Sequence, residues 1–309
     1  IDSVWRDLIH VDRSLIYHPG KKYRYSMSKQ VSDETMLNLV RLNYGMIRDE
    51  IFGKFNPDII FLPNFGSLFH NILYHFAKKN EVDCWRPIAT KISGGITLTN
   101  EIKYKLSHVT KEFNNKLDID DELYDNARDY VKNFRLKYIA PESFESREHP
   151  FDNLYKKLLE DFIRLPFRAV RHLINNRNKL NPQIYRTIDN IKVKNFIFGF
   201  FAKYKNLFGV KAFNYSHLDK DSEFIYFPLH VQPEVSTNLW APYSTNQIET
   251  IRQVAIGLPG KYTLVVKEHP VMLGQRSKSY YQKIIGLPNV KLVSPTYNTY
   301  DLITNPMCK

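Results

Sequence analysis

Lys267, Glu268, His269 and Pro270 follow one another at the end of a β-branched run, Tyr262-Thr263-Leu264-Val265-Val266. An ammonium and an imidazole this close suit an anionic ligand, and a phosphate above all. The first supplies fixed charge, the second a proton that can be given or withheld near neutral pH. The run itself reads as a short buried strand that ends in charge. Side chains alternate along a strand, which sends Lys267 and His269 to one side and Glu268 to the other. Pro270 biases His269 away from helical dihedrals, so the ring is expected on extended backbone just past the strand. In an open α/β sheet, ligands bind outside the carboxyl ends of the strands. The same tetrapeptide also fits a strand end with ordinary surface polar residues.

Residues 222–294 supply the elements that would hold that strand end. Glu223 to Leu229 reads as a strand, and His230 to Thr237 as the polar loop leaving it. That loop offers Gln232, Glu234, Ser236 and Thr237 to a ligand. Asn246 opens a helix with Ile248, Ile251, Val254, Ala255 and Leu258 on its apolar face, and Pro259-Gly260 end it. After the 262–267 strand a loop runs through Gly274-Gln275-Arg276, a helix begins near Ser279, and Val290 to Val293 forms another short strand. Strand and helix alternate, as in a parallel sheet.

The first half has the same layout without repeating the sequence. Ser32 reads as a helix N-cap, and Met36, Leu39, Val40, Tyr44, Ile47, Ile51 and Phe55 recur at helical spacing to about residue 54. Asn56-Pro57 stop that helix. Asp58 to Leu62 is expected as a buried strand, Leu68 to about Lys79 as a helix, and Cys84 to Ala89 as the next strand. Gly66 and Ser67 sit where strand hands over to helix, either as a tight turn that needs glycine or as a place where backbone N–H groups receive an anion. No G-x-G-x-x-G is present, so a dinucleotide has no signature here. Ser93-Gly94-Gly95 is a turn that could line the same cleft, and Glu101 beyond it is the one carboxylate of this half singled out as a base. Asp58 and Asp83 fall at strand starts, the wrong edge for chemistry.

Between the halves, residues 118–135 turn from acidic to helical, and 140–152 read as loop. A helical pattern runs from Phe151 to Ile174 with an expected interruption at Pro166. From Arg164 to Lys205 ten basic residues face one acid, Asp189, and phenylalanines at 196, 198, 200 and 201 are interleaved near the end. Such a stretch is either a solvated face with core aromatics or a surface for an anionic membrane. No nucleic-acid motif accompanies it. The whole chain agrees in sign: 44 Lys+Arg against 32 Asp+Glu leave +12 over 309 residues, which draws anions. Two cysteines, Cys84 and Cys308, fit a reducing compartment and no disulfide or metal framework. No apolar run nears the roughly 18–20 residues of a membrane span, and no signal peptide is visible. The chain opens at Ile1, not Met, so its natural N-terminus is expected to lie elsewhere.

Four blocks in order carry a resemblance: Tyr226 to Glu234, Gln247 to Arg252, Val266 to Pro270, and Pro288 to Pro295. Together they make residues 222–303 resemble the capsule polysaccharide biosynthesis family, which includes the β-Kdo transferases of capsule export systems. The first half is similar only in layout. The resemblance implies an α/β, GT-B-like fold, two Rossmann-like domains facing a cleft. Residues 1–150 would be the acceptor-side domain with Gly66 and Ser67 in its loop, 151–221 a basic helical linker, and 222–309 the nucleotide-sugar domain. It implies that His269 meets the donor phosphate and is a candidate to protonate the leaving group, with Lys267, Pro270, Gln232, Glu234, Ser236 and Thr237 around the donor. The family pattern continues into a Gly/Thr-rich turn and a glutamate-bearing helix, whereas this chain reaches Asp301 to Lys309 and stops. The C-terminal domain is therefore expected to be truncated.

The expected activity is transfer of a sugar, Kdo-like and CMP-linked, to a lipid-linked or oligosaccharide acceptor. Catalysis would fall to His269 and Glu101, without a cofactor or metal, at the cytoplasmic face of the cell membrane. A second enzyme reading keeps the fold and transfers a polyol phosphate from a CDP-linked donor, as teichoic-acid polymerases do. A third is a non-catalytic basic protein bound to the membrane surface.

Overall fold

A computed structural model of the chain describes residues 33–90, 95–102, 106–115, 121–136, 151–177, 193–219, 221–232 and 234–309. The chain is an α/β fold, with two three-stranded sheets among the described residues. Helix α1, Asp33–Met46, continues in π-helical geometry through Ile47–Phe55. Asn56 ends it in the left-handed region at φ 42, with its N–H on the Ile51 carbonyl. The helix expected to about residue 54 thus continues across a change of helix type, with Val40 and Ile47 in the core and Phe55 at its end exposed. The cap expected at Ser32 lies outside the described residues.

Strand β1, Ile59–Phe61, crosses through α2, Leu68–Lys79, to the parallel strand β2, Asp83–Ala89. The Ser67 hydroxyl caps α2 by accepting from the His70 N–H. Leu68, Ile72, Leu73 and Phe76 then enter one core with Val40, Ile47 and Cys84. Two expectations are corrected here. Strand β1 is not buried: it is an edge strand whose Ile59 and Phe61 are 49% and 61% exposed. Nor is this sheet all parallel, because β3, Ile96–Thr99, returns antiparallel to β2. Thr90 closes the link by donating from N and Oγ1 to the Gly95 carbonyl. A parallel return needs a crossover of about a dozen residues, and the link from Ala89 to Ile96 is far shorter. Ser93 and Gly94 lie outside the described residues.

Helices α3, Ser107–Asn114, and α4, Asp121–Leu136, follow. Helix α5, Leu154–Arg177, runs unbroken through Pro166, where the sequence predicts an interruption. Pro166 faces solvent, so the carbonyl left without its i+4 donor can turn to water instead of ending the helix. Helix α6, Val193–Lys211, packs on α5, and the Tyr204 hydroxyl donates to Asp161 at 2.7 Å.

The second sheet has the order β4-β5-β6, all parallel: β4 Phe224–Pro228, β5 Thr263–Lys267 and β6 Val290–Val293. Helices α7, Gln247–Gly257, and α8, Lys278–Ile285, are the crossovers, and α9, Thr299–Ile303, follows β6. On one face Leu264, Val266 and Leu292 share a core with Tyr204, Leu207 and Val210 of α6 and with Ile251 and Ile284. On the other, Phe224, Val265 and Val293 meet Leu302 of α9. The tail then returns to the free edge of β4. Phe224 donates to the Met307 carbonyl, Lys309 donates to the Phe224 carbonyl, and Cys308 bridges Phe224 in parallel. Strand β4 therefore has later chain on both sides, β5 and the tail. The tail meets β4 only at its first residue, the amino end of the strand.

Candidate functional site

Strand β5 is the middle strand, hydrogen-bonded on both edges, and its β-branched residues suit that position. Leu264, Val265 and Val266 are each 0% exposed, and burial of such a side chain contributes about 1.5–3 kcal/mol. The strand is thus a rigid post for what stands at its carboxyl end. Lys267 pairs in register with Pro228 and Val293, and its carbonyl accepts from the Leu229 N–H at 2.9 Å.

Alternation separates Lys267 from Glu268 as the sequence predicts. Glu268 enters the α8 face, where Arg276 Nη1 donates to both its oxygens at 2.9 and 2.8 Å. The Tyr281 hydroxyl donates at 2.8 Å and the His269 N–H at 2.7 Å. Burial pushes the Glu268 carboxyl up, and Arg276, Tyr281 and the His269 N–H pull it back. Arg276 Nη2 also donates to the His230 carbonyl at 2.8 Å. That backbone unit is gripped again by Gln247, whose Oε1 accepts from the His230 N–H and whose Nε2 donates to its carbonyl. Gly274 makes the return of Arg276 feasible: it sits at φ +80, and a Cβ there would lie 2.7 Å from Cγ of Leu207. A guanidinium so committed is not available to a ligand.

On the opposite side Lys267 is 5% exposed, and its Nζ lies 3.1 Å from Thr299 Oγ1. Burial raises the pKa of the Tyr226 hydroxyl, and the same threonine lowers it. Burial lowers the Lys267 pKa, with Glu268 opposing weakly. His269 is half-buried on extended backbone, φ −72 and ψ 129, and opens a short 3-10 turn, Pro270–Met272. Its Nδ1 accepts from the Val271 N–H at 3.2 Å, so in the neutral ring the proton sits on Nε2. Burial lowers the His269 pKa first; Glu234 raises it, and Lys267, Arg276 and His230 lower it further. Pro270 is exposed.

The loop after β4 divides into framework and surface. Gln232 is 4% exposed, donates through Nε2 to the Thr245 carbonyl at 2.6 Å, and sets its N–H on the Met272 sulfur. Thr237 is buried, with Oγ1 on the Glu234 carbonyl. Both shape the loop. Glu234 is exposed, accepts from Ser236 Oγ at 2.6 Å, and acts electrostatically on His269.

The same loop carries the contact between the halves. A Cβ on Gly66 would lie 2.5 Å from Cγ2 of Val235, so glycine is required there by close approach and not by a positive φ. The Arg86 guanidinium lies 5.1 Å from the Phe65 ring centroid and 5.5 Å from that of Trp240. Trp240 Nε1 donates to the Ile102 carbonyl at 2.8 Å. Gly66 is thus brought against the loop after β4, whereas the Ser67 hydroxyl beside it is taken by the α2 cap. Glu101 stands elsewhere. Its oxygens accept from Oγ and N–H of Ser107 at 2.8 and 3.2 Å, and it lines a cavity of ≈ 270 Å³ with Tyr74, Asp83 and Cys84. No described contact joins it to His269.

Sequence reasoning singled out Lys267 and His269 but missed the part played by Glu268, Arg276, Tyr281 and Gln247. The signal available was a charged residue, Glu268, directly after a fully apolar strand, where alternation sends every second side chain into the core. No family model matches the chain, and no curated protein or solved structure matches it either.

Proposed function

We propose that the chain is a glycosyltransferase of GT-B type in surface polysaccharide assembly, with two Rossmann-like halves facing a cleft at the Gly66–Val235 approach. Its donor is a CMP-linked, Kdo-like sugar whose phosphate sits beyond the carboxyl end of β5. The observation that carries this reading is Lys267. It is an ammonium 5% exposed, with Thr299 as its described hydrogen-bond partner and no described carboxylate in ion-pair range. Burying an unpaired charge costs several kcal/mol, which a fold retains where a ligand anion completes the site.

In transfer, the bond from the anomeric carbon to the phosphate oxygen breaks and its electron pair stays on CMP. Lys267 answers the charge that grows there, and His269 protonated at Nε2 donates a hydrogen bond to it. The acceptor hydroxyl bonds to the anomeric carbon and gives its proton to a carboxylate. Glu234, exposed and in electrostatic reach of His269, suits that task better than Glu101, which no described contact joins to His269. The acceptor is a lipid-linked or oligosaccharide glycan at the inner face of the cell membrane. Calorimetric titration with CMP tests the donor site: binding by the wild type and none by Lys267→Met is expected. Equal CMP affinity in both proteins would remove Lys267 from the site and the reading with it.

A further inference from the structure

Helix α5 presents three faces, and on one of them only Tyr155, which meets Phe208 and Lys211 of α6, has a described partner. Leu154 and Leu158 turn inward toward α6 and the second core. Tyr155, Leu159, Ile163, Phe167, Val170 and Ile174 recur three or four residues apart, which places them in one stripe along the helix. Each is exposed, from 55% at Val170 to 77% at Phe167. Arg164 and Arg171 border this stripe on one side, both exposed and without a described acidic partner. The helix holds only two acids, Glu160 and Asp161. Asp161 is taken by Tyr204, Arg168 and Lys203.

We infer that α5 lies in the interface of an anionic bilayer, with the Tyr155–Ile174 stripe in the acyl boundary and Arg164 and Arg171 at headgroup level. The sequence predicts only attraction by charge, over residues 164–205; the exposed stripe adds insertion and begins earlier, at Tyr155. An apolar stripe beside a cationic edge is the pattern of a helix lying on a membrane, and the cationic edge names the lipid as anionic. A second copy of the chain suits this face less well. Each copy carries +12, and of the two acids of α5 Asp161 is already taken, which leaves Glu160 alone to meet a neighbour's arginines. Among the described residues no helix is long and apolar enough to cross a membrane, so α5 lies on the bilayer and does not span it. The inference is independent of the donor site.

The test is co-sedimentation of the full chain with vesicles of phosphatidylglycerol and phosphatidylcholine in equal parts, against phosphatidylcholine alone. Wild type is expected with the anionic vesicles only. Ile163→Asp/Phe167→Asp and, separately, Arg164→Glu/Arg171→Glu should each weaken binding by ~10-fold or more, since each basic residue near such a surface is worth about 1 kcal/mol. Phe167→Trp, which keeps the stripe apolar, should be quenched by brominated acyl chains. Unchanged binding by Ile163→Asp/Phe167→Asp, or no quenching at position 167, overturns insertion. A lipid-free dimer dispersed by Ile163→Asp/Phe167→Asp would give the face to a second copy and overturn it as well.

Discussion

Arg276 donates through a single nitrogen, Nη1, to both oxygens of Glu268, and the two side chains are 0% and 1% exposed. The pair sits one residue beyond Lys267 and ties the exits of β4 and β5 together through the His230 carbonyl. Its function is to hold the backbone from which Lys267 and His269 project. Breaking a buried pair leaves one charge uncompensated, at a cost of about 3–5 kcal/mol. Arg276→Leu should therefore lower urea-unfolding stability by that amount, and Glu268→Leu/Arg276→Leu should recover much of it. A single mutant as stable as wild type would contradict the pair's structural part.

Lys267→Met should behave in the opposite way. It removes a buried ammonium that has one described neutral partner, so the melting temperature is expected to hold or rise while CMP binding disappears. A large fall in melting temperature would mean that Lys267 is framework.

His269 gives a pH signature. Its folded pKa is held below the ordinary histidine value by burial, so the unfolded chain takes up the proton first. The stability this group contributes is complete above the unfolded value of about 6.5 and is lost as pH falls through the lower folded value. His269→Gln should flatten the stability profile across that window. A bound phosphate favours the imidazolium, so CMP binding should take up a proton near neutral pH. Titration calorimetry in buffers of different ionisation enthalpy reads this directly, and no buffer dependence would separate His269 from the phosphate.

Donor choice is testable by thermal shift. A CMP-linked sugar carries one phosphate, whereas UDP and GDP sugars carry a diphosphate, which calls for a metal or several cations. With Arg276 committed to Glu268, Lys267 and His269 are the groups left at this strand end. CMP at about 100 times its dissociation constant should stabilise by about 2.7 kcal/mol without magnesium. A larger, magnesium-dependent shift with UDP would change the donor and leave the fold as it is.

Gly274→Ala tests the loop that returns Arg276. A left-handed non-glycine residue costs about 1–2 kcal/mol, and the new methyl would press on Leu207. A fall of about 2 kcal/mol or more in unfolding free energy is expected, with CMP affinity reduced if Arg276 moves.

The sequence alone determined what rests on local periodicity and punctuation. The Val265-Val266 strand, the α7 and α8 crossovers and the helix from Leu68 follow from β-branched runs and helical spacing. These are properties of neighbours in the chain. Position relative to distant segments was not legible in that way. The apolar run at Ile59 to Phe61 reads as a buried strand, but a buried place depends on what covers it, and β1 lies at an edge. Charge misled for the same reason. Nothing local marks Arg276 as spent until Glu268 and the His230 carbonyl are brought to it across 8 and 46 residues. Lys267 reads as an exposed strand-end lysine until α9 sets Thr299 beside it. Burial and pairing are sums over contacts distant in sequence, so tertiary structure alone decides which charge is spent on the fold and which stands ready for a ligand.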